Sequence, residues 1–452
     1  MKDKKVLVVG MGRSGIAACK ALHDAGALVM AQDSKKEDEI DEKTAVFLNE
    51  AGIKKYLGEV PEDTKDIDMV VLSPGVPPWL GFIQDAQANG AEIIGELELA
   101  YRMGNGSYVA ITGTNGKTTT TTLVGEMFKN AGKKTKVVGN IGVAVVTDAV
   151  NADDDTWLVT EASSFQLETT VTFKPVVSAI LNLTEDHMDR HKTMENYGAA
   201  KAKIFGNQGP DEYLVINYDD KACFALAESC GAQVIPFSRL EKLDVGAYME
   251  GDVITIKTPA GETVSFCKAD ELVIPGSHNL ENALAAAAIG YFAGLSPEDI
   301  TETLRTFQGV EHRIEFCGEA NGVRFVNDSK GTNPDAAIKA VQAIKGGIIL
   351  IAGGYDKNSG YDELIEAFDG KVKYMMLLGT TAPKIKAAAE RLGFTDSIIC
   401  KDMEECVKKG FELAEPGDTV LLSPACASWD MYDCFEQRGE HFKKCAKELG
   451  AK

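Results

Sequence analysis

Residues 112–118 read Thr-Gly-Thr-Asn-Gly-Lys-Thr and follow the apolar stretch 108–111. In such a turn between a strand and a helix, consecutive N–H groups can cradle phosphates, the lysine neutralises charge, and the last threonine can bind Mg²⁺. The strict phosphate-loop pattern fails only at its first glycine, because position 111 is isoleucine. The β-branched run 118–122 could alternatively form a strand. Gly-Lys-Thr at a strand end favours a variant phosphate loop followed by a helix.

Strand-like and helix-like segments alternate on both sides of this loop. Strands are predicted at 6–10, 27–32, 69–73, 108–111, 157–160, 176–181, 213–216, 323–327, 348–352, 374–378 and 419–422. Helices are predicted at 14–25, at 278–293 and over most of 430–449. This alternation predicts an α/β protein with mostly parallel sheets, and the stricter pattern at 247–274 predicts a small antiparallel patch. We predict three domains: a Rossmann-like domain at 1–95, a central phosphate-loop ATPase domain at 96–308, and a C-terminal Rossmann-like domain at 309–452.

The composition is that of a soluble globular protein rather than a nucleic-acid or membrane protein. The 452 residues are 44% apolar and 25% charged, and the net charge of −21 opposes binding to duplex nucleic acid or an anionic membrane. No apolar run is long enough to span a bilayer, and the N-terminus lacks a secretion signal, so we expect a cytoplasmic protein. The ten cysteines contain no C-x-x-C pair and are expected to be reduced thiols.

A second glycine motif opens the chain. Gly10, Gly12 and Gly15 lie between the first predicted strand and helix, and Asp33 ends the next strand. Glycines at this spacing let the backbone approach a pyrophosphate at a helix N-terminus, and the acid could bind a ribose. A nicotinamide or flavin cofactor, another nucleotide and a non-binding turn all remain open for this motif.

Polar side chains follow several other predicted strands. Glu161 stands at a strand end where a nucleotide-bound cation needs a carboxylate, and His187 lies in a polar loop as a metal ligand or a structural hydrogen-bonding residue. Lys201 would by default be an exposed helix lysine. The small polar segments 327–334 and 423–428 predict either ligand loops or structural turns at the sheet edge.

Taken together, these segments resemble the Mur ligases, the ATP-dependent amide ligases that build the peptidoglycan stem peptide. The resemblance covers nearly the whole chain and rests on TGTNGKTT at 112–119, EASSFQLE at 161–168, NLTEDHMDRH at 182–191, GSHNLENALAA at 276–286, EHR at 311–313, NDSKGTNP at 327–334 and SPACASWD at 423–430. FEQRG at 435–439 is similar to the members that add D-glutamate to UDP-N-acetylmuramoyl-L-alanine. The Asp-Asn-Pro-Arg motif of the diaminopimelate- or lysine-adding members is absent.

The resemblance implies that ATP phosphorylates the substrate carboxylate and that the amine of D-glutamate attacks the acyl phosphate. It implies catalytic roles for Lys117, Glu161, His187 and Lys201. The implied ATP contacts are Gly113, Thr114, Asn115, Gly116, Lys117, Thr118, Thr119, Asn282, Arg313 and Asp328. It also implies two Mg²⁺ sites that involve Thr118, Glu161, His187 and a carbamylated Lys201.

The remaining implied contacts are to the two other substrates. They are Arg13, Ser14, Asp33, Ser34, Ser73, Gly75 and Asn140 for the UDP-sugar, and Thr332, Lys357, Ser428 and Phe435 for D-glutamate. The expected partners are these small molecules alone, with no nucleic acid and no membrane, and the expected state is a monomer. The alternatives are another amino-acid-adding Mur-type ligase, a folylpolyglutamate-type ligase, an NAD-dependent oxidoreductase and a non-catalytic nucleotide-binding regulator.

Overall fold

A computed structural model describes residues 1–274 and 276–452, which form two compact units. The first unit comprises Met1–Leu183, Thr193–Glu271 and Glu281–Thr306, and the second comprises Thr184–Lys192, Leu272–Leu280 and Phe307–Lys452. Two β-sheets belong to the first unit and one to the second. The three-domain boundaries expected from the sequence stay a prediction. Among the described residues, none of the helices combines the length and apolar character needed to cross a bilayer.

The first sheet is a parallel, Rossmann-like sheet of five strands. Its strands are β1 (Lys5–Val9), β2 (Leu28–Asp33), β3 (Lys54–Leu57), β4 (Met69–Leu72) and β5 (Glu92–Gly95), and its helices are α1 (Arg13–Asp24), α2 (Glu42–Glu50) and α3 (Gly81–Ala88). The strand order is β3-β2-β1-β4-β5. The chain leaves β1 and β4 in opposite directions, and in such sheets ligands bind beyond the carboxyl ends of that strand pair. Gly10 and Ser73 directly follow these two strands.

The second sheet has nine strands in the order β14-β13-β12-β11-β10-β9-β6-β8-β7. They are β6 (Ser107–Thr112), β7 (Thr135–Gly139), β8 (Trp157–Glu161), β9 (Val177–Ile180), β10 (Tyr213–Asn217), β11 (Gln233–Ser238), β12 (Gly246–Glu250), β13 (Val253–Lys257) and β14 (Thr263–Lys268). The pairs from β7 to β12 are parallel, and β12, β13 and β14 pair antiparallel. The predicted antiparallel patch is therefore present.

Helices connect and cover these strands. They are α4 (Glu96–Met103), α5 (Lys117–Asn130), α6 (Val145–Ala149), α7 (Ser164–Leu167), α8 (Met188–His191), α9 (Met194–Ala202), α10 (Lys221–Ala225), α11 (Ser277–Phe292) and α12 (Pro297–Thr306), of which α8 belongs to the second unit. The threonine run 118–122 lies inside α5, so the strand alternative for that run is wrong. Thr118, Thr119, Thr120 and Thr121 are all buried in this helix, so tertiary packing outweighs the low helix propensity of β-branched residues.

The third sheet lies in the second unit and is covered on both faces. Its strands are β15 (Glu315–Ala320), β16 (Val323–Asn327), β17 (Ile348–Ala352), β18 (Val372–Leu377), β19 (Ser397–Ile399) and β20 (Thr419–Leu422), in the order β15-β16-β20-β17-β18-β19. Its helices are α13 (Pro334–Ala343), α14 (Asp362–Glu366), α15 (Ala382–Arg391), α16 (Met403–Leu413) and α17 (Phe435–Glu448). Along β17, Leu350 packs into one apolar cluster and Ile349 and Ile351 into the opposite one. This period of two buries both faces.

The sequence expectation differs from the structure mainly at the sheet edges. Six strands lack a predicted counterpart: β3, β5, β7, β11, β15 and β19. All except β11 are edge strands, and the charged or short sequences of β3 (KKYL) and β19 (SII) show why their apolar pattern is weak. The last helix, expected to cover most of 430–449, is present as Phe435–Glu448. The ten cysteines are free thiols, as expected.

Candidate active site

The turn between β6 and α5 depends on two glycines. Gly113 has a φ of +149° and Gly116 a φ of +82°, a region that other residues rarely adopt. A Cβ at Gly116 would also lie 2.4 Å from Asn282 Oδ1. Lys117 Nζ donates hydrogen bonds to the carbonyl oxygens of Gly113 (2.9 Å) and Thr114 (2.8 Å). The ammonium group is therefore held over the turn whose N–H groups would meet a phosphate.

Asn182 braces this turn from the end of the neighbouring strand β9. Its Oδ1 accepts the Asn115 N–H (2.8 Å), and its Nδ2 donates to the Asn115 carbonyl (3.1 Å). Its own carbonyl accepts the Thr114 N–H (3.1 Å). The sequence analysis assigned Asn182 no role. Its position just after a predicted strand could have indicated that it lies at the same sheet edge as the phosphate loop.

Two further candidate ATP-binding residues lie at the same turn. Thr119 is buried in the first turn of α5. Asn282 lies on α11, and its Oδ1 accepts a hydrogen bond from Thr120 Oγ1 (3.3 Å). The candidates at 113–119 and Asn282 are thus brought together, whereas Arg313 and Asp328 belong to the second unit.

Thr118, in the first turn of α5, and Glu161, at the end of β8, place two oxygen donors side by side. Glu161 is only 1% exposed, and its Oε2 accepts a hydrogen bond from Thr118 Oγ1 (2.8 Å). Its Oε1 accepts one from Asn140 Nδ2 (2.9 Å). A carboxylate and a hydroxyl beside a phosphate loop are the hard donors that Mg²⁺ prefers, so these residues fit a magnesium ion.

Lys201 is buried, in contrast to the default expectation of an exposed helix lysine. It is 1% exposed, and its Nζ donates to the Gly113 carbonyl at 2.9 Å. The same Nζ lies 4.3 Å from the centre of the Tyr197 ring, and the Tyr197 hydroxyl accepts a hydrogen bond from Thr114 Oγ1 (3.4 Å). The wrong default arose because α9 turns this face toward the loop. Lys201 therefore belongs to the candidate site.

His187 lies in the second unit beside Asp186. It adopts a left-handed backbone conformation with φ +56°, and its Nε2 is 3.6 Å from Asp186 Oδ2. Asp186 also accepts a hydrogen bond from Asn333 Nδ2 (3.2 Å), and Lys357 Nζ lies 3.6 Å from its Oδ1. Two candidate residues, His187 and Lys357, therefore share one carboxylate that sequence reasoning had assigned no role.

A cavity of about 380 Å³ lies beside the glycine motif that opens the chain. It is lined by Gly10, Gly12, Arg13, Ser14, Ser73, Pro74, Gly75, Val76, Gly139, Asn140, Ala144 and Gln166. The first sheet and the β7–α6 loop therefore contribute to one cavity. Of the predicted UDP-sugar residues, Arg13, Ser14, Ser73, Gly75 and Asn140 line it. Gln166 is an addition from the EASSFQLE segment, where it also completes a capping box with Ser163.

The glycine motif is built for close backbone approach. A Cβ at Gly15 would lie 1.8 Å from the Gly10 carbonyl oxygen, a distance that no side chain could tolerate. Ser73 Oγ donates to that same carbonyl at 2.7 Å and joins the ends of β1 and β4. Asp33 does not line the cavity; its carboxylate accepts the N–H groups of Met11 (2.6 Å) and Lys35 (2.9 Å). Ser34 is exposed and is also outside the cavity lining.

Asp328 and Arg313 meet in the second unit. Asp328 is fully buried, and its Oδ1 lies 3.4 Å from Arg313 Nη1. Its Oδ2 accepts a hydrogen bond from Ser423 Oγ (2.7 Å). Burial raises the pKa of Asp328, while the Arg313 charge acts in the opposite direction. The arrangement holds a carboxylate and a guanidinium together at the ends of β16 and β20.

Arg438 joins the two polar loops that carry candidate D-glutamate residues. It is 2% exposed, and its guanidinium donates to Ser329 Oγ (3.0 Å), the Ser329 carbonyl (2.8 Å) and the carbonyls of Cys426 (3.1 Å) and Ala427 (3.2 Å). Burial lowers the pKa of Arg438 to about 10. Sequence reasoning used Arg438 only as part of the FEQRG segment.

The remaining candidates occupy the same loops. Ser428 is 2% exposed, and Phe435 begins α17 with its carbonyl accepting a hydrogen bond from Ser329 Oγ (2.8 Å). Lys330 Nζ lies 4.7 Å from the centre of the Phe435 ring. The Thr332 N–H donates to the Lys330 carbonyl (3.0 Å).

Comparison with known proteins finds three domain families along the chain. The Mur ligase MurD-like N-terminal domain matches residues 4–95, the Mur ligase middle domain matches 111–290, and the Mur ligase glutamate ligase domain matches 312–426. A protein of Alkaliphilus oremlandii named UDP-N-acetylmuramoylalanine--D-glutamate ligase is 51% identical over 453 residues, with 99% of both chains covered. A Clostridioides difficile protein of the same name is 50% identical over 450 residues, also with 99% of both covered.

Solved structures of more distant relatives share the fold. The UDP-N-acetylmuramate-alanine ligase of Thermotoga maritima is 19% identical with a TM-score of 0.60, covering 98% of this chain and 99% of its own. A pseudomurein peptide ligase type C from Methanothermus fervidus is also 19% identical with a TM-score of 0.60, covering 99% of this chain and 100% of its own. The domain matches and the full-length identity establish that this chain belongs to the Mur ligase family.

Proposed function

We propose that this chain is the ATP-dependent ligase that joins D-glutamate to UDP-N-acetylmuramoyl-L-alanine in peptidoglycan precursor synthesis. The observation that carries the proposal is the cluster in which Lys117 lies over the phosphate loop and Thr118 contacts Glu161. The D-glutamate-adding relatives, at about half identity over the full length, support the choice of substrates.

The reaction builds up negative charge twice, first on the γ-phosphoryl group and then on the tetrahedral intermediate formed by the attacking amine. Lys117 and the N–H groups of the turn would stabilise the first, since fixed cations and dipoles act strongly in a water-poor site. Mg²⁺ held by Thr118 and Glu161 would neutralise the phosphate oxygens. Asn140 donates to Glu161 and would keep that carboxylate aimed at the cation.

Lys201 fits a role as a carbamylated residue. An ammonium group 2.9 Å from the Gly113 carbonyl is a poor neighbour for a divalent cation. Carbamylation would convert it into an anion that faces the metal, and we propose that His187 serves a second Mg²⁺. Both assignments rest on the family resemblance and on the burial of Lys201.

We propose that the cavity between the first sheet and the β7–α6 loop binds the UDP-sugar, with Arg13 and Asn140 in its lining. In the second unit, Arg313 and Asp328 would contact ATP, and Thr332, Lys357, Ser428 and Phe435 would surround D-glutamate. An NAD-dependent oxidoreductase is not favoured, because it would leave the phosphate loop at 113–118 and the Thr118–Glu161 pair without a function. The cytoplasmic location and monomeric state stay predictions.

The test measures phosphate release from ATP with purified protein. We expect release to require both UDP-N-acetylmuramoyl-L-alanine and D-glutamate, and to be absent with L-glutamate. Lys117→Met should lower kcat by about 100-fold or more, because the phosphate charge loses its fixed cation. The matched control is Lys129→Met, whose ammonium lies on the same helix in an exposed pair with Glu126. Release that is independent of the amino acid would contradict the proposal.

A further inference from the structure

The β7–α6 loop forms one wall of the proposed UDP-sugar cavity, and it is fastened at several points. At its start, the Asn140 N–H donates to the Glu161 carbonyl (2.9 Å) and the Asn140 side chain to Glu161 Oε1 (2.9 Å). In its middle, Arg13 Nη1 donates to the Gly142 carbonyl (3.3 Å). At its end, Ala144 lines the cavity and leads into α6. The position of Ala144 therefore depends on how the first turn of α6 is held.

Glu96 holds that first turn from a different helix. The N-cap position of α6 is Ala144, which has no side chain that could accept a hydrogen bond. Instead, Glu96 Oε1 on α4 accepts the Val146 N–H at 2.6 Å. Helix N-termini need such an acceptor, and a local serine or aspartate usually supplies it. Here the acceptor comes from 50 residues earlier in the chain.

Burial of the Glu96 carboxyl group costs free energy, because the group loses its contacts with water. Glu96 is 2% exposed, and within the described part of the chain its Oε2 has no hydrogen-bonding partner. Burial raises the pKa of Glu96 to about 7. A leucine of similar size would pack there without burying a polar group. The hydrogen bond from the Val146 N–H is therefore the contact that offsets part of this cost.

We propose that Glu96 is a positioning residue for the UDP-sugar site, which holds the first turn of α6 and thereby the Ala144 side of the cavity wall. Glu96 itself does not line the cavity, so it acts through α6 rather than by touching the substrate. The inference rests on the proposed function, since it assigns the cavity to the UDP-sugar.

The test compares three variants by steady-state kinetics with each substrate varied in turn. Glu96→Leu removes the acceptor, and Glu96→Asp places it one methylene too far from the Val146 N–H. Both should raise the KM for UDP-N-acetylmuramoyl-L-alanine about tenfold, the usual effect of losing one hydrogen bond to a buried group. Their kcat and their KM values for ATP and D-glutamate should stay within about twofold. Glu96→Gln keeps the acceptor and should retain the wild-type KM.

Several results would overturn the inference. The inference is wrong if Glu96→Asp and Glu96→Leu keep the wild-type KM for UDP-N-acetylmuramoyl-L-alanine. It is also wrong if Glu96→Gln raises that KM as much as Glu96→Leu does, or if the KM values for all three substrates rise equally. If Glu96→Leu does not fold, the comparison of Asp with Gln decides the matter. Arg13→Met separates the two proposals: if it too leaves the KM for the UDP-sugar unchanged, the assignment of the cavity is wrong. If Arg13→Met raises that KM and Glu96→Asp does not, only the role of Glu96 is refuted.

Discussion

Replacement of Arg438 by methionine should destabilise the second unit, because the buried guanidinium joins the loops after β16 and β20. Methionine fills similar volume but donates no hydrogen bond. The Ala427 carbonyl keeps the Tyr355 N–H (2.9 Å), whereas the Ser329 and Cys426 carbonyls lose the Arg438 donor at 2.8 and 3.1 Å. The perturbation therefore leaves two buried main-chain acceptors without their donor.

The expected magnitude follows from these contacts. A buried polar group without a partner costs about 1–3 kcal/mol, which gives about 4 kcal/mol for the two carbonyls. Removal of the charge relieves the desolvation that lowers the pKa of Arg438 to about 10. We therefore expect a net loss of about 3 kcal/mol in the free energy of unfolding. Arg438→Lys should lose nearly as much, since one ammonium cannot reproduce the fork of donors.

The assay is urea unfolding at neutral pH, followed by tryptophan fluorescence and analysed by linear extrapolation. Trp429 reports on the second unit if Trp79 and Trp157 are changed to phenylalanine in a common background. The control is Arg391→Met, which removes an exposed pair with Asp362 and should cost less than about 0.5 kcal/mol. A loss for Arg438→Met no larger than that of the control would refute the reasoning. Full stability of Arg438→Lys would show that charge, not hydrogen-bond geometry, matters.

Three other predictions address the remaining parts of the molecule. Lys201→Ala should abolish phosphate release and be partly restored by a small added carboxylic acid that replaces the carbamate; failure of rescue would count against carbamylation. Gly15→Ala should weaken UDP-sugar binding more than tenfold in calorimetry, since its Cβ would lie 1.8 Å from the Gly10 carbonyl; unchanged binding would contradict the assignment. Burial raises the pKa of Glu96 from about 4.5 to about 7 in the folded protein. Protonation of Glu96 therefore favours the folded state, and this contribution to the free energy of unfolding is complete below pH 4.5 and is lost as the pH rises through 7. Urea unfolding at a series of pH values should therefore show that the wild-type free energy of unfolding falls by up to about 3 kcal/mol more across this range than that of Glu96→Gln. If the two proteins lose stability equally with pH, this prediction is wrong.

The phosphate loop could be predicted from the sequence because all its parts lie within a few consecutive residues. A turn between a strand and a helix, two glycines and Lys117 define its chemistry locally, and Glu161 could be added from its place at a strand end. The fold class was predictable for the same reason, since buried strands carry a continuous apolar pattern. Edge strands such as β3 and β19 escaped prediction because solvent on one side relaxes that pattern.

By itself, the sequence determined the α/β class, the phosphate loop and the family, because each is written in short segments. Only the tertiary structure decided that Lys201 is buried, that Asn182 braces the loop, that Glu96 accepts the Val146 N–H, and that Arg438 joins the second-unit loops. Their decisive contacts join residues far apart in the chain, such as Glu96 with Val146 and Arg438 with Ser329, 50 and 109 positions away. No local pattern records such a pair, because the polar partner is chosen by packing.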